Sequence, residues 1–292
     1  MADPQIDTLR HSDGYSAAVR WWLPERPRGA VLYLHGIQSH GGWYEGSARR
    51  LAERGLAVLM PDRRGSGLNT EQRGHAESAE RLLKDAEEFV AAIRRRVGFG
   101  AGHVVGVSWG GKWAAALAVR RPEAVASLTL VAPGLFAAVD LPAREKFRVA
   151  WSLLADARRP FPIPLNDARL FTHDEGWRAF VERDELRLRA VTATFLLASR
   201  RMDRAAARLA DGGWRGPLHL LLAGDDRIID NARTRAFVRA LPLADRRITE
   251  YAGAAHTLEF QHDASAFFED LAGWVAERTK EACGGSAGSE TG

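Results

Sequence analysis

A serine flanked by glycines, at the junction of a predicted strand and a predicted helix, is the residue of this sequence best placed to do chemistry. Residues 103–113 read His-Val-Val-Gly-Val-Ser-Trp-Gly-Gly-Lys-Trp, so an apolar run enters Gly-x-Ser-x-Gly and an amphipathic run leaves it. Gly106 and Gly110 allow strand and helix to approach more closely than side chains would permit. The pattern therefore predicts that Ser108 projects from the end of a sheet as a nucleophile.

Two other patterns compete with this interpretation. Residues 284–288 also read Gly-x-Ser-x-Gly, but they lie in a Gly/Ser-rich tail, where Ser286 has neither a strand before it nor a helix behind it. Residues 106–112 also read Gly-x-x-x-x-Gly-Lys, the beginning of a phosphate-binding loop. Trp113 stands where that loop needs a hydroxyl to hold magnesium, which argues against a nucleotide site.

A serine hydroxyl of ordinary acidity needs a base to take its proton and an acid to orient that base. His256 lies in a loop of small residues, directly after a predicted strand and before the last predicted helix. Upstream, an apolar run ends in a glycine turn that carries Asp225 and Asp226. Successive side chains diverge on a turn, so only one of the two carboxylates can face the histidine. The chain order Ser, Asp, His is the one expected of this architecture.

Two backbone N–H groups complete the predicted site, because the tetrahedral intermediate of acyl transfer carries an oxyanion. One belongs to Trp109, the residue after the nucleophile, at the positive end of a helix. The other is predicted in the loop after the strand at 30–35, where Gly36 permits the turn and Ile37 supplies the N–H.

These motifs resemble the α/β-hydrolase superfamily, and within it the monoacylglycerol lipase or lysophospholipase-like branch, which is also similar to the serine aminopeptidases S33. The resemblance covers nearly the whole chain. It rests on residues 35–44, 61–67, 106–111 and 224–229 and on His256. It implies an acyl-enzyme on Ser108, and it favours Asp226 over Asp225, because Asp226 precedes Arg-Ile-Ile as the orienting acid does in related sequences.

The chain departs from the usual pattern of that branch at three positions. Val107 stands where a histidine is usual, Trp109 replaces a small residue, and Ser39 occupies a position that is often acidic. The side chain of Trp109 is expected to lie beside the acyl group of a substrate.

Short apolar runs alternate with amphipathic helical segments along the chain. This alternation predicts an α/β fold with a mostly parallel central sheet and helices on both faces. The predicted strands are 15–22, 30–35, 57–60, 104–107, 128–131, 218–223 and 246–251, and the predicted helices are 45–54, 76–96, 109–120, 231–240 and 264–281. The candidate site residues follow strands, at the carboxyl edge where such sheets bind ligands.

The predicted domain organisation is a discontinuous α/β-hydrolase core, residues 1–133 and 214–282, with an inserted helical cap, residues 134–213. The Gly/Ser-rich end, residues 283–292, is predicted to be a disordered tail.

The predicted cap has no convincing strand, is rich in aromatic residues and contains a strong helical pattern over 185–204. Aromatic residues that cover the site predict an apolar cavity. Trp151 and Phe180 are the candidate substrate contacts within it.

The composition argues against several classes of partner and cofactor. The net charge of +4 comes from arginines interleaved with acidic residues, which predicts a solvated surface and no nucleic-acid partner. No apolar run is long enough to span a bilayer, so no stable membrane insertion and a cytoplasmic location are expected. The single cysteine excludes an internal disulfide and a cysteine-based metal cluster. His256 and His262 are six residues apart and face different sides of a helix, so no metal and no cofactor are predicted.

The predicted function is hydrolysis of small, lipid-like carboxylic esters with an apolar acyl chain. An acyltransferase, thioesterase or peptidase would use the same residues, because the triad fixes only acyl transfer. A non-catalytic binding protein of the same fold is the alternative from another class. Dehalogenases and epoxide hydrolases are disfavoured, since those relatives carry aspartate at the position of Ser108. The sequence leaves the oligomeric state open.

The two Gly-x-Ser-x-Gly motifs make a direct prediction. A fluorophosphonate probe is expected to label Ser108 and leave Ser286 unmodified, because only the former lies between a strand and a helix. Peptide mapping by mass spectrometry locates the label. Modification of Ser286, or none on folded protein, would contradict the assignment.

Overall fold

The structure is a computed structural model that describes residues 3–98 and 102–284, with side chains through residue 279. Its strands are β1 Gln5–Arg10, β2 Ser16–Trp22, β3 Gly29–Leu34, β4 Leu56–Pro61, β5 Gly102–Val107, β6 Val125–Val131, β7 Pro160–Pro162, β8 Ala190–Thr192, β9 Leu218–Ala223 and β10 Arg246–Tyr251. Eight of them form one sheet in the order β1-β2-β4-β3-β5-β6-β9-β10. β2 runs antiparallel to β1 and β4, and the remaining neighbours are parallel.

The described helices are α1 Glu45–Glu53, α2 Ala79–Val97, α3 Trp109–Arg120, α4 Ala143–Ala155, α5 Glu175–Arg183, α6 Ala193–Ala207, α7 Asn231–Ala240 and α8 Ser265–Gly284. α1 and α8 pack together, and α2 and α3 pack together on the other face. The predicted fold class, a mostly parallel sheet with helices on both faces, is confirmed.

Burial follows from the position of each strand in the sheet. Every residue of β3, β4 and β9 is buried, as expected for parallel strands covered on both faces. β10 lies at the edge, and none of its residues is fully buried. The buried central strands therefore hold in place the loops at their carboxyl ends, where the candidate site residues lie.

The segment between β6 and β9, residues 134–213, lies against loops at the carboxyl edge of the sheet. Its backbone bonds to Gln38 and Gly74 through Leu188 and Thr192. It also bonds to the loops after β9 and β10, since the Asp230 and Thr257 N–H groups donate to Phe136 and Phe171. We call this segment the cap segment; its status as a separate domain stays a prediction.

The cap segment differs from the sequence prediction in two details. The helix predicted over 185–204 begins at Ala193, where Thr192 caps it by accepting the Phe195 N–H. Of the residues before it, only Ala190–Thr192 form a strand, β8, which pairs with β7. Outside the cap segment, the sequence prediction also lacked β1, because the residues of this strand are largely exposed and form no apolar run.

No described helix combines the length and apolar character needed to cross a membrane. The predicted tail is described only at its beginning, where α8 continues to Gly284. Ser286 and the other residues of 285–292 lie outside the described part of the chain.

A buried carboxyl group ties α1 to the turn that follows His256. Glu259 accepts hydrogen bonds from the Ser47 N–H, at 3.1 Å, and from the Ser47 hydroxyl. Burial raises the pKa of Glu259 from 4.5 to about 7. Between these pH values the folded protein holds this proton more tightly than the unfolded chain does, so the group's contribution to stability falls as the pH rises.

Glu259→Gln removes this titration. We expect the free energy of unfolding of the wild type, relative to that of the variant, to fall by up to about 3 kcal/mol as the pH rises from about 4.5 to about 7. Urea denaturation across that range measures it, with Glu269→Gln on exposed α8 surface as the control. A wild type and a Glu259→Gln variant with the same pH dependence would show that burial does not perturb this carboxyl.

Candidate active site

Ser108 lies at the junction of β5 and α3 in a backbone conformation that few side chains adopt. Its φ is 53°, in the left-handed region. The flanking glycines make the junction possible: a Cβ on Gly106 would lie 2.5 Å from the Gly110 carbonyl oxygen, and one on Gly110 would collide with the Leu34 carbonyl oxygen. A strained turn held by close packing is typical of a functional position. The sequence pattern thus places the serine where a nucleophile elbow requires it.

His256 and Asp226 form a buried pair after the last two strands of the sheet. The His256 Nδ1 donates to Asp226 Oδ2 at 2.8 Å. The other carboxylate oxygen, Oδ1, accepts the N–H groups of Ile228 and Ile229, at 2.8 and 3.0 Å. Both oxygens of the carboxylate thus accept hydrogen bonds, and its negative charge fixes the ring orientation and the Nδ1–H tautomer of the histidine.

Asp225 points elsewhere, although it is the sequence neighbour of Asp226. Its carboxylate lies 3.0 Å from His173 and 3.4 Å from Arg227, at a partly exposed position. The turn therefore separates the two carboxylates as the sequence predicted, and it brings Asp226 to His256. The catalytic role of Asp226 stays a prediction.

The second ring nitrogen of His256 has the properties of a proton acceptor. With the proton on Nδ1, Nε2 carries the lone pair. It is buried and has no hydrogen-bond partner among the described residues, Ser108 included. Catalytic hydrogen bonds are often long before substrate binds, so this arrangement is compatible with proton transfer from Ser108.

The loop after β3 lies directly against the nucleophile. A Cβ on Gly36 would be only 3.3 Å from the Ser108 Cβ. The Ile37 N–H has no acceptor among the described residues. As the first residue of α3, Trp109 also has an N–H without a partner inside the helix. Both N–H groups are therefore available to a ligand, as an oxyanion hole requires.

Two side chains that the motif analysis did not assign hold this loop in place. Ser39 Oγ accepts the Gly36 N–H at 2.9 Å, and Tyr44 donates to the same Oγ at 3.0 Å. Burial raises the pKa of the Tyr44 hydroxyl, which therefore remains a donor. The local signal was present in the sequence: a serine three residues after a glycine can close a turn onto its backbone. The Tyr44 contact depends on the tertiary fold.

Aromatic rings from the cap segment and the core surround the base. The Phe171 ring lies 6.2 Å from the His256 ring, measured between centroids, and Phe171 is buried. The rings connect into an aromatic cluster of Trp43, Phe171, Trp177, Phe180 and Phe260. An apolar group bound beside the candidate base would lie next to the Phe171 ring of this cluster.

The two predicted substrate contacts occupy more open positions. Phe180 is 37% exposed at the edge of the aromatic cluster, and Trp151 is 63% exposed on α4. Neither has a contact with Ser108 or His256 among the described ring contacts. Their contact with substrate stays a prediction. The sequence could not distinguish them from the buried Phe171, because all three are aromatic residues in one irregular segment.

One cluster elsewhere has the composition of a metal site. His11, Asp85 and Glu88 bring their ligand atoms within 4.8 Å of one another. Arg64 and Arg81 already donate to these carboxylates, at 2.8 to 3.2 Å. The two guanidinium groups supply the positive charge that a cation would bring, so the cluster is satisfied as an ion-pair network.

Comparison with known proteins gives consistent matches. The model of the family "Serine aminopeptidase, S33" matches residues 25–263. A monoacylglycerol lipase of Mycolicibacterium smegmatis is 28% identical over 268 residues, covering 87% of this chain and 90% of that protein. The crystal structure of Paleococcus ferrophilus monoacylglycerol lipase has a TM-score of 0.81 at 20% identity, over 90% of this chain and 99% of that one. A soluble variant of Saccharomyces cerevisiae monoglyceride lipase, solved with a substrate analogue, has a TM-score of 0.80 at 18% identity, over 95% and 96%.

The two adjacent aspartates provide a matched pair of variants. Asp226→Asn is expected to lower kcat by at least about 10³-fold, because the amide neither stabilises the imidazolium nor enforces the Nδ1–H tautomer. Asp225→Asn is expected to stay within about tenfold of wild type, since its partners are surface groups. Steady-state kinetics with a chromogenic ester measures both, and equal losses would show that the assignment of the acid is wrong.

Proposed function

Because the chain belongs to the serine aminopeptidase S33 family of α/β-hydrolases and is a carboxylic ester hydrolase, we propose that it cleaves esters of apolar acyl chains. In this proposal the reaction proceeds through an acyl-enzyme on Ser108. The family and the similarity to monoacylglycerol lipases confirm the resemblance noted in the sequence. The acyl-enzyme and the identity of the ester are our proposal.

The observation that carries the proposal is the buried Asp226–His256 pair with its free Nε2. In the proposed reaction, His256 Nε2 removes the proton from the Ser108 hydroxyl while Oγ attacks the ester carbonyl carbon. The resulting imidazolium is stabilised by Asp226 and then protonates the leaving alcohol. Water, activated by the same nitrogen, releases the acid and restores Ser108.

The proposed oxyanion hole consists of the Ile37 and Trp109 N–H groups. Each lies beside Ser108: Trp109 follows it in the chain, and Ile37 follows Gly36, which contacts it. The loss of one such donor typically costs about 3 kcal/mol of transition-state stabilisation. Because both donors are backbone groups, side-chain changes at Ile37 should act only through the shape of the loop.

The surroundings of the site favour an apolar acyl group, and with it a small, lipid-like ester. The aromatic cluster lies next to His256, and the Trp109 ring packs on Phe195 of α6 with centroids 5.3 Å apart. The relative from Mycolicibacterium smegmatis is described as a monoacylglycerol lipase. A glycerol ester is therefore the first leaving group to try. Transfer to another acceptor, thioester hydrolysis and peptide hydrolysis would use the same steps, and the acceptor and leaving group distinguish them.

A series of p-nitrophenyl and monoacylglycerol esters with acyl chains from acetyl to decanoyl tests the proposal. We expect kcat/KM to rise with chain length, because each buried methylene contributes roughly 0.8 kcal/mol until the apolar contacts are used up. Phe171→Ala should flatten the rise from the shorter chains onwards, since its ring contacts the His256 ring. Trp151→Ala and Phe180→Ala should affect only the longer chains, because these residues are more exposed.

The control for this series is Phe147→Ala, which removes an exposed ring on α4 one turn before Trp151. It should leave the chain-length dependence unchanged. Acetyl esters as the best substrates, with the same profile in all variants, would instead indicate a small polar substrate.

A further inference from the structure

The guanidinium group of Arg63 lies beneath the loop that carries the predicted oxyanion donor. Arg63 follows β4 and is fully buried. Its Nη1 donates to the Gly36 carbonyl oxygen and its Nη2 to the Ile37 carbonyl oxygen, each at 3.0 Å. The planar fork of an arginine thus holds two successive carbonyl groups of one short loop.

No carboxylate neutralises this cation among the ion pairs of the described residues. The neighbouring Asp62 is engaged by Arg20, at 2.8 Å, and by the N–H groups of Gly41 and Leu68. Burial lowers the pKa of the Arg63 guanidinium to about 9, which leaves it charged at neutral pH. A positive charge therefore persists beneath the loop that faces the nucleophile, out of contact with water.

Aromatic rings cover the rest of the group. The Arg63 guanidinium carbon lies 4.9 Å from the centre of the Trp109 ring and 5.0 Å from that of Phe195. The cation–π contacts compensate part of the lost hydration and fix the group in position. The Nε atom of Arg63 has no partner among the described residues. The polar contacts of this side chain are therefore the hydrogen bonds of Nη1 and Nη2 to the Gly36 and Ile37 carbonyl oxygens.

The Gly36 carbonyl and the Ile37 N–H are the two ends of one peptide unit. A carbonyl that accepts hydrogen bonds, especially from a charged donor, makes the N–H of the same unit a stronger donor. His35 adds a second hydrogen bond to this carbonyl. Its Nε2 accepts the backbone N–H of Arg63, so Nδ1 carries the proton and donates to the Gly36 carbonyl oxygen at 2.8 Å. Burial, followed by the Arg63 charge, holds the pKa of His35 well below its usual value.

We propose that Arg63 is a positioning residue for the oxyanion hole, which orients the Gly36–Ile37 peptide toward Ser108 and polarises its N–H through the opposite carbonyl. The inference rests on the proposed acyl transfer at Ser108. The positive charge acts on the oxyanion through the peptide unit, so its contribution increases as the negative charge develops in the transition state. Substrate binding in the ground state gains little from it.

The adjacent Arg64 provides the matched control. It is also buried, but it forms ion pairs with Asp85 and Asp13, at 2.8 and 2.9 Å, and makes no described contact with the loop. Its loss should lower thermal stability without a selective effect on the transition state.

The test compares wild type with Arg63→Met, Arg63→Lys and Arg64→Met at a temperature where each is folded by circular dichroism. We expect Arg63→Met to lower kcat for a medium-chain ester by about 10- to 100-fold, with KM within about threefold of wild type. A trifluoromethyl ketone, which forms a tetrahedral oxyanion adduct with the serine, should lose affinity by a similar factor. The matching methyl ketone, which binds without that charge, should not. Arg63→Lys should fall between wild type and Arg63→Met, because an ammonium group lacks the fork.

Loss of stability alone in Arg63→Met, with kcat and trifluoromethyl ketone affinity retained, would overturn the proposal. If that variant does not fold, wild-type kcat and inhibitor affinity in Arg63→Lys would overturn it as well. A wild-type protein that cleaves no ester and takes up no fluorophosphonate would instead refute the proposed function. The two failures are therefore distinguishable.

Discussion

The close contact of α3 with the ends of β3 and β5 is the constraint on which the candidate site depends. Without a Cβ, Gly110 allows the first turn of α3 to rest on the Leu34 and His35 carbonyl oxygens. This contact brings the N-terminus of α3, with the Trp109 N–H, next to the loop that carries Ile37. Any larger residue would push the helix away and separate the two N–H groups, whatever the conformation of Ser108. The local strain at the serine is thus one consequence of a packing requirement between elements distant in the sequence.

The sequence was most informative where function depends on local geometry and strand order. The glycines around Ser108 are visible because a tight turn requires them, and the acid and base are visible because carboxyl ends of parallel strands share one edge. Strand order predicted only that one of Asp225 and Asp226 faces the histidine, since both follow β9, and the preference for Asp226 came from the family resemblance. The deciding feature is the pair of N–H groups of Ile228 and Ile229 on Oδ1, which depends on the backbone of the turn. Composition and periodicity carry no trace of such geometry.

Features that depend on contacts between distant segments could not be predicted. Arg63 lies in a segment that supported only the family resemblance, and its acceptors come from another loop 26 and 27 residues earlier. The beginning of α6 at Ala193 has a similar cause. The residues before it have helical periodicity, but Arg187 is buried and donates hydrogen bonds to the Gln38 side chain and to the Leu165 carbonyl oxygen. These tertiary contacts override the local preference for a helix.

These long-range contacts also determine how the cap segment relates to catalysis. Arg187 and Leu188 hold Gln38, the residue after Ile37, and Ser199 of α6 accepts the indole N–H of Trp109 at 2.9 Å. The segment therefore binds both elements that carry the proposed oxyanion donors, in addition to covering them. A change at Arg187, Leu188 or Ser199 would therefore act on the elements that carry the donors, whereas the exposed rings of Trp151 and Phe180 have no described contact with either element. We therefore expect substrate preference and turnover to be coupled at the first three positions and separable at the exposed rings.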